Sequence, residues 1–169
     1  QQLPHGVTVQ IIVADNDDTP SAEPVVRTAT AGAPMLVSYL HAPARNISVA
    51  RNAVLNATEG AGIQWLAFAD DDERLDPGWI AALWSKAQAS GAGVVLGDVR
   101  AHYGVGAPDW MRTGSVHDTR PERDAHGNLK GGYTCNDLRN LADPGLAGLR
   151  FDPARGQSGG EDTACFAAA

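Results

Sequence analysis

At 169 residues, with 43% hydrophobic and 20% charged residues, the chain has the size and composition of one folded domain and is neither disordered nor fibrous. Thirteen basic against twenty acidic residues give a formal net charge of -7, and the absence of a Lys/Arg-rich run excludes a nucleic-acid partner held through its phosphates. Cys135 and Cys165 make neither a disulfide framework nor a CxxC zinc pattern, so a reducing compartment is expected, and no apolar run approaches membrane-spanning length.

The first predicted strand covers residues 7–14, a β-branched run that ends in Asp15-Asn16-Asp17-Asp18 and the turn former Pro20. Residues 19–34, rich in Ala, Thr and Pro, read as a connection with at most a short helix, and residues 35–40 as a weaker strand. After Pro43 the spacing predicts a helix through Ala57, with Ser48 as N-cap and Gly60 as its C-terminal stop. Ala50, Ala53, Val54 and Ala57 give it a narrow face of small residues, suited to close packing on a sheet. Arg45 and Arg51 lie near its start, where backbone N–H groups already favour anions.

An apolar run over residues 63–69 then feeds straight into Asp70-Asp71-Asp72-Glu73. Adjacent carboxylates raise one another's pKa and are costly to hold ionised unless something positive sits among them. All-oxygen ligands suit a hard ion such as Mg2+ or Mn2+, and Mg2+ is held by one or two carboxylates, several waters and the phosphates of a substrate. The cluster therefore calls for a metal and a small phosphorylated ligand together. An isolated acid run is ordinarily a solvated turn; its place at the end of an apolar strand reverses that preference.

Asp76 as N-cap and Pro77 at the first helical position open a predicted helix through Ser90, with Ile80, Leu83, Trp84 and Ala87 as its buried stripe and Gly91 as its end. Residues 94–97 form another short apolar strand, and the alternation of strand and helix indicates an α/β layer fold. In open α/β sheets ligands lie outside the carboxyl ends of the strands, so two strands that end in acids point to one shared pocket. From Asp98 to Lys130 repeated glycines and prolines, Gly127 among them, interrupt any period, and the segment reads as a mobile lid or acceptor-side region. Its His102, His117 and His126 are assigned no ligand role. Residues 131–139 read as a short strand carrying Asn136. Near the end, Gly159-Gly160-Glu161-Asp162 describes either a flexible loop that brings a carboxylate to a ligand or an ordinary capping loop.

These stretches together resemble the family 2 glycosyltransferases of the GT-A fold, and among them the bacterial exopolysaccharide enzymes of the succinoglycan glucosyltransferase type. The matching pieces fall in the family's order over most of the chain. They are Val13-Ala14-Asp15-Asn16, Ile47-Ser48-Val49-Ala50-Arg51-Asn52-Ala53, residues 66–73, Asn136 with Arg139, Phe151-Asp152-Pro153 and Gly159-Gly160-Glu161-Asp162-Thr163. The resemblance implies an α/β GT-A (nucleotide-diphospho-sugar transferase) fold, a Rossmann-like sandwich with a mostly parallel central sheet. Residues 1–97 would form the nucleotide-binding part and 98–169 the acceptor-side part of a single domain. The family's usual first strand, roughly Val-x-Ile-Pro-Thr-Tyr-Asn, has no match, so the chain is expected to lack that strand and the C-terminal part. Asp17 stands where a glycine is common.

The resemblance also implies an inverting, metal-dependent transfer from a UDP-sugar to a hydroxyl of a saccharide or lipid-linked saccharide. Asp15 and Asn16 would read the base, with help from Arg51. Asp70 and Asp71 would lie by the ribose and diphosphate, and Asp72 would bind Mn2+ or Mg2+; the register of four consecutive acids lets Asp71 and Asp72 exchange roles, with Glu73 a further alternative. The catalytic base falls on Asp162, with Glu161 the alternative. The expected location is the cytoplasm, with peripheral association at the inner face of the cytoplasmic membrane. A dehalogenase-type phosphatase fits less well, since Arg74 stands where its pattern wants Thr or Val, and so does an EF-hand, which needs a glycine where Leu75 stands. A Rossmann dehydrogenase would need a glycine-rich turn after the first strand, where Asp15-Asn16-Asp17-Asp18 has none. A non-catalytic nucleotide-sugar-binding domain is the remaining alternative, against which the Glu161-Asp162 pair speaks.

Overall fold

The β-branched and apolar runs become strands and the segments between them helices in a computed structural model that describes residues 3–126 and 129–168; Gly127 lies outside the described residues. In chain order these are β1 (Ile11–Asp15), α1 (Glu23–Ala29), β2 (Val37–His41), α2 (Ile47–Thr58), β3 (Trp65–Ala69), α3 (Trp79–Ser90), β4 (Val94–Leu96), α4 (Asp109–Gly114), β5 (Asn136–Asn140) and α5 (Glu161–Ala167). The α/β class is as expected. The mostly parallel central sheet is found only in part: β1 and β2 pair in parallel, whereas β5 lies between β3 and β4 and runs antiparallel to both. Since β3 and β4 both oppose β5, they run parallel to each other, as a strand–helix–strand crossover through α3 requires. The long irregular stretch after β4 lets the chain re-enter the sheet from the other end, a choice that the polar sequence of β5 does not encode.

Strand parity sorts the core into two faces. Leu66 and Phe68 of β3 pack with Val54 and Leu55 of α2, Phe151 and Cys165, and with Ile12 and Ala14 of β1. Trp65 and Ala67, one residue out of phase, pack with Leu83 and Ala87 of α3, Val95 and Leu138. Asp70, the next residue after β3, keeps the parity of Leu66 and Phe68 and so emerges on the α2 side.

Two caps differ from expectation. The N-cap of α2 is Asn46, whose Oδ1 accepts from the Val49 N–H at 3.2 Å; Ser48 is already inside the first turn, fully buried, with its hydroxyl unpartnered among the described residues. Asp76 and Pro77 form a turn instead of starting α3, closed by Trp79 N–H donating to the Asp76 carbonyl at 3.0 Å, and Gly78 occupies the cap without a side-chain bond. Gly91 ends α3 in the left-handed region, φ 66°, as the sequence indicates.

The start of α2 also clamps a distant loop. Asn46 Nδ2 donates to the Pro153 carbonyl at 2.8 Å, and Ile47 N–H donates to the Gly156 carbonyl at 3.3 Å. Asn52 donates to the Phe151 carbonyl at 2.8 Å and accepts from the Phe151 N–H at 2.9 Å. A Cβ on Gly156 would collide with the Asn46 side chain, so only glycine fits where the loop crosses the helix end.

These contacts separate the two cap assignments. Asn46→Ala, losing both the cap and the loop bond, is expected to lower the unfolding free energy by about 1 to 2 kcal/mol. Ser48→Ala, which removes an unpaired buried hydroxyl, is expected to stay within about 0.5 kcal/mol of wild type or gain slightly. Urea unfolding of both variants measures the contrast.

Candidate active site

The two acid-terminated strands converge on the first half of α2. The carbonyl of Asn16, just past β1, accepts from the Arg45 N–H at 2.8 Å and the Ala44 N–H, which seats the start of α2 against the end of β1. Arg45 itself is exposed and pairs with Asp17 and Asp18 at 3.4 and 3.0 Å. Further along the helix, Arg51 is only 6% exposed. Its guanidinium reaches Glu161 Oε1 at 2.9 Å, Asp162 Oδ1 at 2.7 Å and Asp70 Oδ1 at 3.4 Å, and lies 5.4 Å from the centre of the Phe151 ring. A buried guanidinium is tolerated only when paired and hydrogen-bonded. Three carboxylates from β3 and α5 meet that condition, and they bring Asp70, Glu161 and Asp162 into one cluster.

One cation among three carboxylates leaves the cluster negative. Burial raises the Asp70 carboxyl above its usual range, Arg51 opposes this, and Asp162 and Asp72 add to it. Glu73 is raised mainly by burial, while its Oε2 accepts from the Asp70 N–H at 3.2 Å. The half-buried Cys135 thiol is pushed up to about 12, first by burial and then by Glu73, Asp70 and Asp162. Such an excess of negative charge attracts a divalent cation. Asp71 and Asp72 lie exposed at its rim. Among the described residues no three His, Cys, Asp or Glu side chains form a ready-made metal cage. An ion held here would take one or two of these carboxylates and complete its shell with water and other oxygens.

Asp162 has an asymmetric environment. Arg51 Nη1 and the Thr134 hydroxyl both donate to its Oδ1, the latter in a very short bond, and Oδ2 accepts no hydrogen bond among the described residues. Glu161, 7% exposed, turns its Oε1 to Arg51.

At the end of β1, Asp15 is woven into its own turn. Its Oδ1 accepts from the Asp17 N–H at 3.0 Å, and its Oδ2 from the Ala22 N–H at 3.1 Å and the Tyr39 hydroxyl at 2.6 Å. The Tyr39 bond above all holds this carboxyl below the usual range, while the phenol is pushed up to about 12 by burial and by Asp15. Asn16 stands next to it, half-buried.

Beneath the cluster, on the α2 face of β5, lies a second buried ion pair. Asp137 is fully buried, accepts from the Phe68 N–H at 3.2 Å and from Arg139 Nε at 2.7 Å. The Arg139 guanidinium sits about the rings of Phe68, Phe151 and Phe166, 5.1, 5.4 and 5.1 Å from their centres. Sequence reasoning missed Asp137 and Thr134. Asp137 had a signal, since opposite charges two apart on a strand share one face; Thr134 had none. Asn136 is a staple: it accepts from Trp79 Nε1 at 2.8 Å and donates to the Asp98 carbonyl at 3.0 Å.

The chain belongs to glycosyl transferase family 2: residues 2–155 match that family's model. A curated relative is the succinoglycan biosynthesis protein ExoM of Rhizobium meliloti (strain 1021), 44% identical over 164 residues that make up 97% of this chain and 52% of that protein. The chain thus spans about half the length of this relative. No solved structure matches it.

The buried pair makes stability depend on pH. Burial pushes Asp137 up to about 6 from its ordinary 3.8, against the pull of Arg139. The folded chain then holds this proton more readily than the unfolded one, so stability falls as pH rises from about 4 to 6, and the raised Asp70 and Glu73 add to the same slope. Asp137→Asn is expected to be less stable at neutral pH, because Arg139 loses its partner in the core, and to show a flatter pH dependence across that window. Urea unfolding midpoints between pH 4 and pH 7, roughly the span over which these groups titrate, measure both effects.

Proposed function

We propose that this chain is the catalytic domain of an inverting glycosyltransferase that moves a sugar from a UDP-sugar to a hydroxyl of a saccharide or lipid-linked saccharide. The observation that carries the reading is the Arg51 cluster: one guanidinium joins Asp70, at the end of the strand that leads into the acid run, to Asp162 and Glu161 at the start of α5. Donor-side and acceptor-side carboxylates thereby share one pocket, as direct displacement requires.

In this reading Asp15 and Asn16 flank the uracil, Asp70 and Asp71 lie by the ribose and diphosphate, and Asp72, or Asp71 in the alternative register, holds Mn2+ or Mg2+. The ion would neutralise charge developing on the diphosphate as the bond to the anomeric carbon breaks. Asp70 and Glu73, both partly desolvated, keep the inner wall of the pocket polar and negative, so that positive charge is drawn to its rim. Asp162 is the general base. With Oδ1 held by Arg51 and Thr134, its Oδ2 is the oxygen turned to the acceptor hydroxyl, whose proton it takes as the oxygen attacks. Glu161, more deeply buried and committed to Arg51, serves to hold that guanidinium. One base opposite one leaving group inverts the anomeric centre without a covalent sugar–enzyme intermediate.

The relative's role in succinoglycan biosynthesis supports an exopolysaccharide acceptor, which in this reading is assembled on the cytoplasmic face of a membrane. Among the described residues no helix is long and apolar enough to cross a membrane, and association through the acceptor is peripheral in this reading.

Calorimetric titration with UDP tests the donor half: binding is expected to need Mn2+ or Mg2+ and to be lost in Asp72→Ala. Asp162→Asn tests the acceptor half: transfer is expected to fall by about 10²- to 10⁴-fold while metal-dependent UDP binding persists. UDP binding without any turnover in the wild-type chain would instead mark a non-catalytic nucleotide-sugar-binding domain.

A further inference from the structure

We infer that Thr134 is a positioning residue for the reaction: its buried hydroxyl, together with Arg51, pins one oxygen of Asp162 and so decides which oxygen faces the acceptor. The inference rests on the reading of Asp162 as general base and extends it to a residue outside the acid motifs.

Asp162 stands in the first turn of α5, after Gly159 and Gly160 in the left-handed region, φ 85° and 86°, and the cap of α5 makes no side-chain hydrogen bond. The donors that orient its carboxylate therefore come from other elements. Thr134 is one of them. It is fully buried and stands two residues before β5, whose Asp137, Leu138 and Arg139 are all buried. Gly132 just ahead of it is pressed so closely to Leu96 and Phe166 that a Cβ there would collide with both. The hydroxyl is thus enclosed in the turn that leads into β5.

Two donors from different elements, Arg51 on α2 and Thr134 before β5, converge on the same Oδ1. One donor would let the carboxylate turn about that single bond; two fix its plane and leave Oδ2 as the open position. Among the described residues the threonine hydroxyl has no other hydrogen-bond partner, and a buried hydroxyl is expensive to leave unbonded. Its bond to an ionised carboxylate is of the strong, charge-assisted kind. Misplacing a reacting group by about 1 Å costs on the order of 10²-fold in rate, which sets the scale of the effect.

The test uses the full chain and follows UDP release from UDP-glucose with membrane-extracted lipid-linked saccharide as acceptor. Thr134→Val, which keeps the shape and removes the hydroxyl, is expected to lower kcat by about 10- to 100-fold, with KM for UDP-glucose and calorimetric UDP affinity near wild type and a cooperative, somewhat lowered melting transition that shows the variant folded. Thr134→Ser, which restores the donor, is expected to recover most of the rate. Placed on Asp162→Asn, Thr134→Val should cost nothing further, because residues that act as a unit are not additive. Wild-type kcat in Thr134→Val, failure of serine to rescue, or a multiplicative loss in the double variant would each overturn the inference while leaving Asp162 as base. Full turnover in Asp162→Asn alone would remove the base reading itself.

Discussion

A buried guanidinium has to be answered by negative charge or it unfolds the protein around it, and Arg51 meets this constraint with carboxylates more than a hundred positions away. Glu161 is 110 residues along the chain and Asp162 is 111, whereas Asp70 is 19. The ion pairs therefore join the carboxyl end of β3 to α5 through α2. Remove the charge and three carboxylates are left facing one another; remove the carboxylates and a cation is stranded. The pocket exists because neither side can be satisfied alone.

Phe151 carries this arrangement into the core. Its ring is 1% exposed and faces the guanidinium of Arg51 on one hand and that of Arg139 on the other, each 5.4 Å from its centre. Its backbone is gripped on both sides by the Asn52 amide. Cations over aromatic faces gain electrostatically from the ring while their charge is met elsewhere, here by the acid cluster for Arg51 and by Asp137 for Arg139. The two buried ion clusters thus share contact with one phenylalanine. Asn52 thereby ties the Phe151-Asp152-Pro153 turn to α2.

The electrostatic balance differs between the two acidic strand ends. Asp15 is stabilised as an anion by a phenol and two backbone N–H groups and shapes a turn. Asp70 and Glu73 are desolvated and crowded, a cost that Arg51 offsets at Asp70. Asp71 and Asp72 are exposed. A chain that carries net charge -7 thus gathers part of its like-charge repulsion around Asp70, Glu73 and Asp162.

Local patterns were enough for much of this. Apolar runs ending in Asp15 and Asp70, the stripe of α3, the glycine that stops it, and the Gly-Gly-Glu-Asp turn are all written in short windows, because strand alternation, helical spacing and glycine's left-handed freedom act over a few residues. The chain's own residues thereby determined the order of elements and which carboxylates reach the surface at strand ends. The direction of β5, the choice of Asn46 over Ser48 as cap, the three partners of Arg51 and the Thr134 hydroxyl on Asp162 were decided only in the tertiary structure. Each depends on which distant group arrives to satisfy a buried charge, a helix end or a strand edge, and that is settled by packing across the chain, not by neighbours in sequence.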